Sequence, residues 1–284
     1  KQHLKESIEL DEEEDMELGE ESGKDVISIN DSDACFMKNK KGKWEFDYNG
    51  QIAVDDYKGI ILASYITNNS TDYYELIPLM EQVQSNLSEI YDETPVNYQV
   101  SADNGYSTDM NTEYLEQNGF DGYISSRKLS REQKKYNLSD KPFAKDNFFY
   151  DNEMMTYIRP LGQPLYKISE YTYKNKSRIS HWTKECKTCP MQLFCSKGNR
   201  CRVIQDYGIP SKIRMQWKME TPEAKERYKI RSKTVERPFA HLKQNIHLTE
   251  FRTTWLQEVN TELKLYTIGH NLKRIYNEIS RKNN

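Results

Sequence analysis

Apolar residues follow two rhythms along this chain. Gln51-Ile52-Ala53-Val54 and then Ile60 to Thr67 are short runs rich in apolar and β-branched side chains, which predicts a hairpin turning at Asp55 to Gly59. From Asp72 the spacing changes: Leu76, Leu79, Met80, Val83 and Leu87 recur as on one face of a helix, with Asp72 as its N-cap and Glu75 three positions on. Asn97 to Ala102 reads as a buried strand that ends in Asp103 and a Gly turn. A helix follows around Met110 to Asn118, stopped by Gly119, then a short strand at Tyr123 to Ser125. Strand pair, helix, strand, helix, strand predicts an α/β layer with a mixed sheet.

Beyond residue 126 the rhythm is lost. Lys, Tyr, Pro and Gly dominate residues 127–215, with short strands expected at Phe148 to Tyr150 and Thr156 to Ile158, so this stretch reads as an irregular insertion. Helical spacing returns near Thr221 and continues, with a break at His247 to Thr253, into a last helix over Trp255 to Ile279. Leu256, Val259, Leu263 and Tyr266 lie along one side of that helix and should pack on the core. Residues 1–25 are acidic and poor in apolar side chains, a composition that favours disorder or a frayed helix. The expected organisation is therefore a lead-in at 1–25, the first part of a core at 26–126, the insertion at 127–215 and closing helices at 216–284.

Composition adds room and a class. The 284 residues can bury a sizeable core in one or two domains, and 36% hydrophobic with 30% charged fits a polar globular chain. No run of 18 apolar residues and no signal-peptide pattern is present, which predicts a cytoplasmic protein without a membrane partner. The formal net charge of -3 hides an asymmetry: residues 1–160 hold 16 Lys and Arg against 33 Asp and Glu, residues 161–284 hold 25 against 11. A basic second half suits contact with a phosphate backbone.

Two stretches carry the candidate chemistry. The first is the Asp103 turn. The second, YKIRSKTVERPFAHLK from Tyr228 to Lys243, reads as a basic helix with one acid, Glu236, among Arg231, Lys233, Arg237 and Lys243. Carboxylates at a strand end and on a helix can hold Mg²⁺ (or Mn²⁺) while the cations hold phosphates, which points to metal-dependent phosphoryl transfer on nucleic acid. Alone, each half has a plainer reading, a turn-forming Asp and a solvated face of ion pairs. On one α-helix Glu236 and Lys243, seven positions apart, would share a face with about 10 Å of rise between them. At 100° per residue Tyr228 stands about 80° and Arg231 about 140° from Glu236, so Arg231 reads as a flanking phosphate contact.

SADNGY at residues 101–106, the set Tyr228, Arg231, Glu236 and Lys243, and HNLKRI from His270 to Ile275 together resemble the DDE transposases of bacterial insertion sequences. The similarity takes in Ser28 to Gly42 and Tyr48 to Gln82, and is nearest to the branch with a Cys-rich insert ahead of the catalytic Glu helix. It implies an RNase H-like (retroviral-integrase-like) core. It also implies DNA strand cleavage and strand transfer at transposon ends, double-stranded DNA as partner and self-association on that DNA. Asp103 and Glu236 match two of the three catalytic, metal-binding acids; Tyr228, Arg231 and Lys243 match the family's set on this helix, and Arg237 beside them reads as a further DNA-backbone contact. The family bears its first Asp on the first core strand, and the resemblance expects that acid upstream of Lys1. Asp55-Asp56 is better explained as the hairpin turn, and Asp31-x-Asp33 has no role that the sequence assigns. With two acids, the chain by itself is expected to bind duplex DNA without cutting it. The competing class is a non-catalytic DNA-binding remnant of a transposase.

Four of the five cysteines, Cys186, Cys189, Cys195 and Cys201, begin with a CxxC and fall inside the insertion, a spacing that can hold Zn²⁺, with His181 or His241 as substitute ligands. Their plainer reading is a set of reduced thiols. Trp182, Trp217 and Trp255 lie in the basic half, where aromatic rings can stack on bases or fill the core.

Overall fold

The computed structural model describes residues 26–38, 42–91, 98–125, 143, 147–173, 176–196 and 201–282. The acidic lead-in at 1–25 and most of 127–147 lie outside the described residues. The chain divides into two compact units, Lys1–Pro95 with Ile230–Asn284, and Val96–Lys229. The predicted segment 26–126 contributes to both.

In the first unit β1 (Cys35–Lys38) pairs with β2 (Trp44–Asp47), and β3 (Asn49–Val54) forms an antiparallel hairpin with β4 (Ile61–Thr67). The Asp55 carboxylate closes the hairpin turn by accepting the Lys58 and Ile60 N–H groups, and Gly59 supplies a φ of 69°. Successive side chains of a strand point to opposite faces, and both faces of β4 are covered. Ala63 packs with Leu79 and Val83 of α1 (Leu76–Ser88), and Ile66 packs with Val259 and Leu263 of the C-terminal helix.

The predicted N-cap of α1 is corrected. Helix α1 starts after Glu75, and the Asp72 carboxylate instead accepts Asn49 Nδ2 and Gln51 Nε2, each at 2.8 Å, from the neighbouring strand. Glu75 is itself buried, taking bonds from Tyr65 Oη (2.5 Å), Thr67 Oγ1 (3.2 Å) and Asn69 Nδ2 (2.6 Å), so its charge is stabilised by donors rather than by solvent.

In the second unit β5 (Gln99–Ala102) runs parallel to β6 (Asp121–Ile124) through α2 (Asp109–Gln117). Thr108 caps α2 by accepting the Asn111 N–H at 3.2 Å, and Gly119, with φ 71°, ends it. The strand before Asp103 is less buried than its sequence suggests: within β5 only Ala102 is buried. The short α3 (Gln192–Cys195) precedes α4 (Pro210–Met219), and Gly122 of β6 lies under α2 and α4, where a Cβ would come within 2.9 Å of Leu115 and 2.7 Å of Met215.

The stretch read as irregular contains the largest sheet among the described residues. Strands β7 (Phe149–Asp151), β8 (Thr156–Ile158), β9 (Pro164–Tyr173), β10 (Lys176–Trp182) and β11 (Ile204–Gly208) form an antiparallel sheet in the order β11-β10-β9-β8-β7. Its core joins Phe148, Tyr150, Tyr157, Leu165 and Ile204 with the half-buried Trp217. At its centre the buried Asp206 accepts Tyr157 Oη and Trp217 Nε1, both at 2.7 Å, and lies 3.3 Å from His181 Nε2. Burial and the Asp206 charge push the Tyr157 phenol well above its ordinary range, so it stays a donor. Helix and sheet are thus mixed, as predicted, but the β3–β4 and β5–β6 pairs belong to separate units.

Candidate functional site

Asp103 follows the last residue of β5 and opens a turn, Asn104–Tyr106, whose first N–H it accepts at 2.6 Å. Its side chain is solvent-exposed. A carboxylate at the C-terminal end of a parallel strand stands at the sheet end where α/β folds bind ligands.

Glu236 lies on α5 (Pro222–Ala240), the helix read from the sequence. It is exposed, as are Lys233, Arg237 and Lys243, and among the described residues it forms no hydrogen bond or ion pair. Tyr228 is half-buried; its hydroxyl accepts the Ser125 Oγ–H at 2.9 Å, tying α5 to the residue after β6 within the second unit. Arg231 is half-buried on the same helix.

The expected shared face of Glu236 and Lys243 is corrected. The α-helix ends at Ala240 and the chain continues as a π turn, His241–Asn245, in which Ile246 N–H reaches back to the His241 carbonyl. A π turn winds fewer degrees per residue than an α-helix, so Lys243 is rotated away from the Glu236 row. Pro238, three residues before the π turn, has no N–H for the Thr234 carbonyl, which weakens the ladder where the winding changes.

The residues of HNLKRI find a structural task on α6 (Leu256–Lys282). Asn271 Oδ1 accepts the Ile61 N–H (2.9 Å) and its Nδ2 donates to the Ile61 carbonyl (2.8 Å); His270 Nε2 meets the Gly59 carbonyl at 2.9 Å; Arg274 donates to the Lys58 carbonyl. The motif therefore clamps the backbone of the β3–β4 turn. Asp31-x-Asp33 has a role as well. Asp31 accepts Tyr48 Oη (2.8 Å) and the Trp255 N–H (3.2 Å), and Asp33 accepts the Leu256 N–H (3.0 Å), so the two acids cap the start of α6 and complement its dipole. A sequence reading could have found this only by pairing two segments more than 220 residues apart.

Cys186, Cys189 and Cys195 line a small cavity with Phe148, Leu165 and Arg159. Burial, then a hydrogen bond with Cys201, pushes the Cys186 thiol up; burial also raises Cys195, against the pull of Arg202 and Arg159. Zinc binds thiolates, and these environments favour thiols. Among the described residues no group of three or more His, Cys, Asp or Glu side chains is arranged to hold a metal ion, so CxxC spacing predicted neighbours rather than a closed site. His181 and His241 are not substitute ligands: the first is buried beside Asp206, the second bonded to His270. Trp217 stacks on Tyr150 at 4.8 Å and serves the core.

Comparison with protein families bears on the part of this site that holds Glu236 and not on Asp103. Residues 160–276 match the transposase DDE domain. That segment contains Tyr228, Arg231, Glu236, Arg237, Lys243 and the four cysteines, and the resemblance to DDE transposases stands. The domain implies an RNase H-like fold, a transposition function and DNA binding, and DDE transposases use divalent metals. No curated protein and no solved structure matches the chain. Among the described residues no helix is long and apolar enough to cross a membrane.

Proposed function

We propose that the chain catalyses metal-dependent cleavage and transfer of DNA strands at insertion-sequence ends, in the branch of DDE transposases with a Cys-rich insert, acting in the cytoplasm and self-associating on DNA. One observation carries this reading: an exposed Glu236 without a partner among the described residues, flanked by exposed cations, on a helix inside the matched segment. In this reading Asp103 and Glu236 are two of the metal-binding acids. Both are exposed carboxylates and fit the hard-oxygen preference of Mg²⁺ or Mn²⁺. Such an ion, when bound, neutralises phosphate oxygens and activates the attacking oxygen. Arg237 and Lys243 bind the DNA backbone, Arg231 flanks them, and Tyr228, held by Ser125, fixes the position of the helix.

The experiment measures duplex binding against salt, and strand cleavage in Mg²⁺ or Mn²⁺, on DNA carrying an insertion-sequence end. Affinity that falls steeply with salt, together with cleavage, supports the enzyme. Binding with cleavage only once a segment bearing the third acid is supplied also fits the enzyme, binding without cleavage in either case favours the non-catalytic remnant, and salt-independent or absent binding overturns both. Zinc at Cys186, Cys189, Cys195 and Cys201 rests on their spacing and requires four thiols to lose protons on binding. Metal analysis of the purified chain that finds none removes it.

A further inference from the structure

Two histidines of the first unit meet ring to ring. His270 of α6 is only 2% exposed, and His241 opens the π turn. Their Nδ1 atoms are 3.0 Å apart, and the rings cross at 77° with centroids 4.8 Å apart. The other nitrogen of His270 faces the Gly59 carbonyl, which only accepts, so Nε2 carries a proton. One proton shared between the two Nδ1 atoms then makes an N–H···N bond. Burial, then the charges of His270, Arg274 and Lys273, holds His241 below its usual range.

The same residue anchors the π turn by its backbone. The His241 carbonyl accepts the Ile246 N–H at 3.1 Å, the Leu242 carbonyl accepts the Leu248 N–H at 2.9 Å, and the Leu242 side chain is buried. Lys243 follows directly and is exposed. A wide turn is the rarer winding, and the His241–His270 bond adds a side-chain constraint at its first residue.

We propose that His241 and His270 are positioning residues for DNA: their single N–H···N bond holds the π turn in the winding that presents Lys243 to the phosphate backbone. This rests on the reading of Lys243 as a DNA contact. The test compares the full chain with His241→Leu, His241→Asn, Lys243→Ala and the double variant H241L/K243A, in duplex titrations over a range of salt. Lys243→Ala should lower the slope of log affinity against log salt by about one. His241→Leu should lower it equally, with no further loss in the double variant, because both changes remove one contact. His241→Asn, whose amide N–H stands near the place of Nδ1, should retain the slope. Nitrogen-15 NMR of the unaltered chain should show His270 protonated on Nε2 and a scalar coupling between the two Nδ1 atoms across the shared proton. An unchanged slope in His241→Leu, additive losses, or no coupling between the two Nδ1 atoms would overturn the proposal. Should His241→Leu fail to fold, His241→Ser, too short to reach His270, takes its place. Absent binding by the unaltered chain sinks the DNA reading and this proposal together, whereas normal binding with an unchanged His241→Leu slope sinks this proposal alone.

Discussion

The acids at the start of α6 and the acids at the β5 end and on α5 differ in what surrounds them. Asp31 is 8% exposed and takes bonds from a phenol and two backbone N–H groups; Asp33 takes one from Leu256. Asp103 and Glu236 are exposed, and Glu236 has no partner among the described residues. A carboxylate saturated by donors is fixed in place and has little capacity left for a cation. An exposed one such as Glu236 keeps lone pairs that a cation can use. Residue type and sequence neighbours cannot separate the two cases; the three-dimensional count of donors can.

That contrast breaks most visibly in activity. Asp103→Asn retains an acceptor for the Asn104 N–H, so the fold should persist while strand cleavage, measured with a segment bearing the third acid supplied, falls at least about 100-fold and duplex affinity stays within about twofold. Asp31→Ala should act in the opposite way. It leaves Tyr48 Oη and the Trp255 and Asp33 N–H groups without their acceptor, and urea denaturation should register a loss of about 3 kcal/mol.

A smaller effect concerns pH. His241 binds its proton less readily in the folded chain than at its ordinary value of 6.5, so the unfolded chain takes up more protons in the interval between. Stability is then complete above about pH 6.5 and declines as pH falls toward the lowered folded value. Denaturation at pH 7.5 and 5.5 should show a larger decline for the unaltered chain than for His241→Asn. The smallest effect is expected at the surface. Arg214 and Glu116 pair at 2.6 Å between exposed side chains, and Arg214→Ala should cost about 0.5 kcal/mol, less in high salt.

The hairpin, α1, α2 and the two long helices were legible because their apolar spacing is regular. The β7–β11 sheet was mostly hidden. Strand β9, PLYKISEYTY, carries charges among its aromatics and leaves Tyr166 and Ile168 exposed, so no two-residue alternation marks it. Helix α4 was missed for a related reason: its buried residues are Ser211, Ile213 and Met219, too few for a clear apolar stripe. Among site residues, Asp103 and Glu236 could be read from their motifs. The rotation of Lys243 could not, because it depends on a π turn that apolar spacing does not mark.

The most direct measurement is Mn²⁺ titration by electron paramagnetic resonance on the DNA-bound chain, with Glu236→Gln beside Asp31→Asn. The account predicts that Glu236→Gln weakens Mn²⁺ binding at least about tenfold while Asp31→Asn, once shown to be folded, binds as the unaltered chain does. Equal Mn²⁺ affinity in Glu236→Gln and the unaltered chain would contradict the assignment of the open acid as a metal ligand.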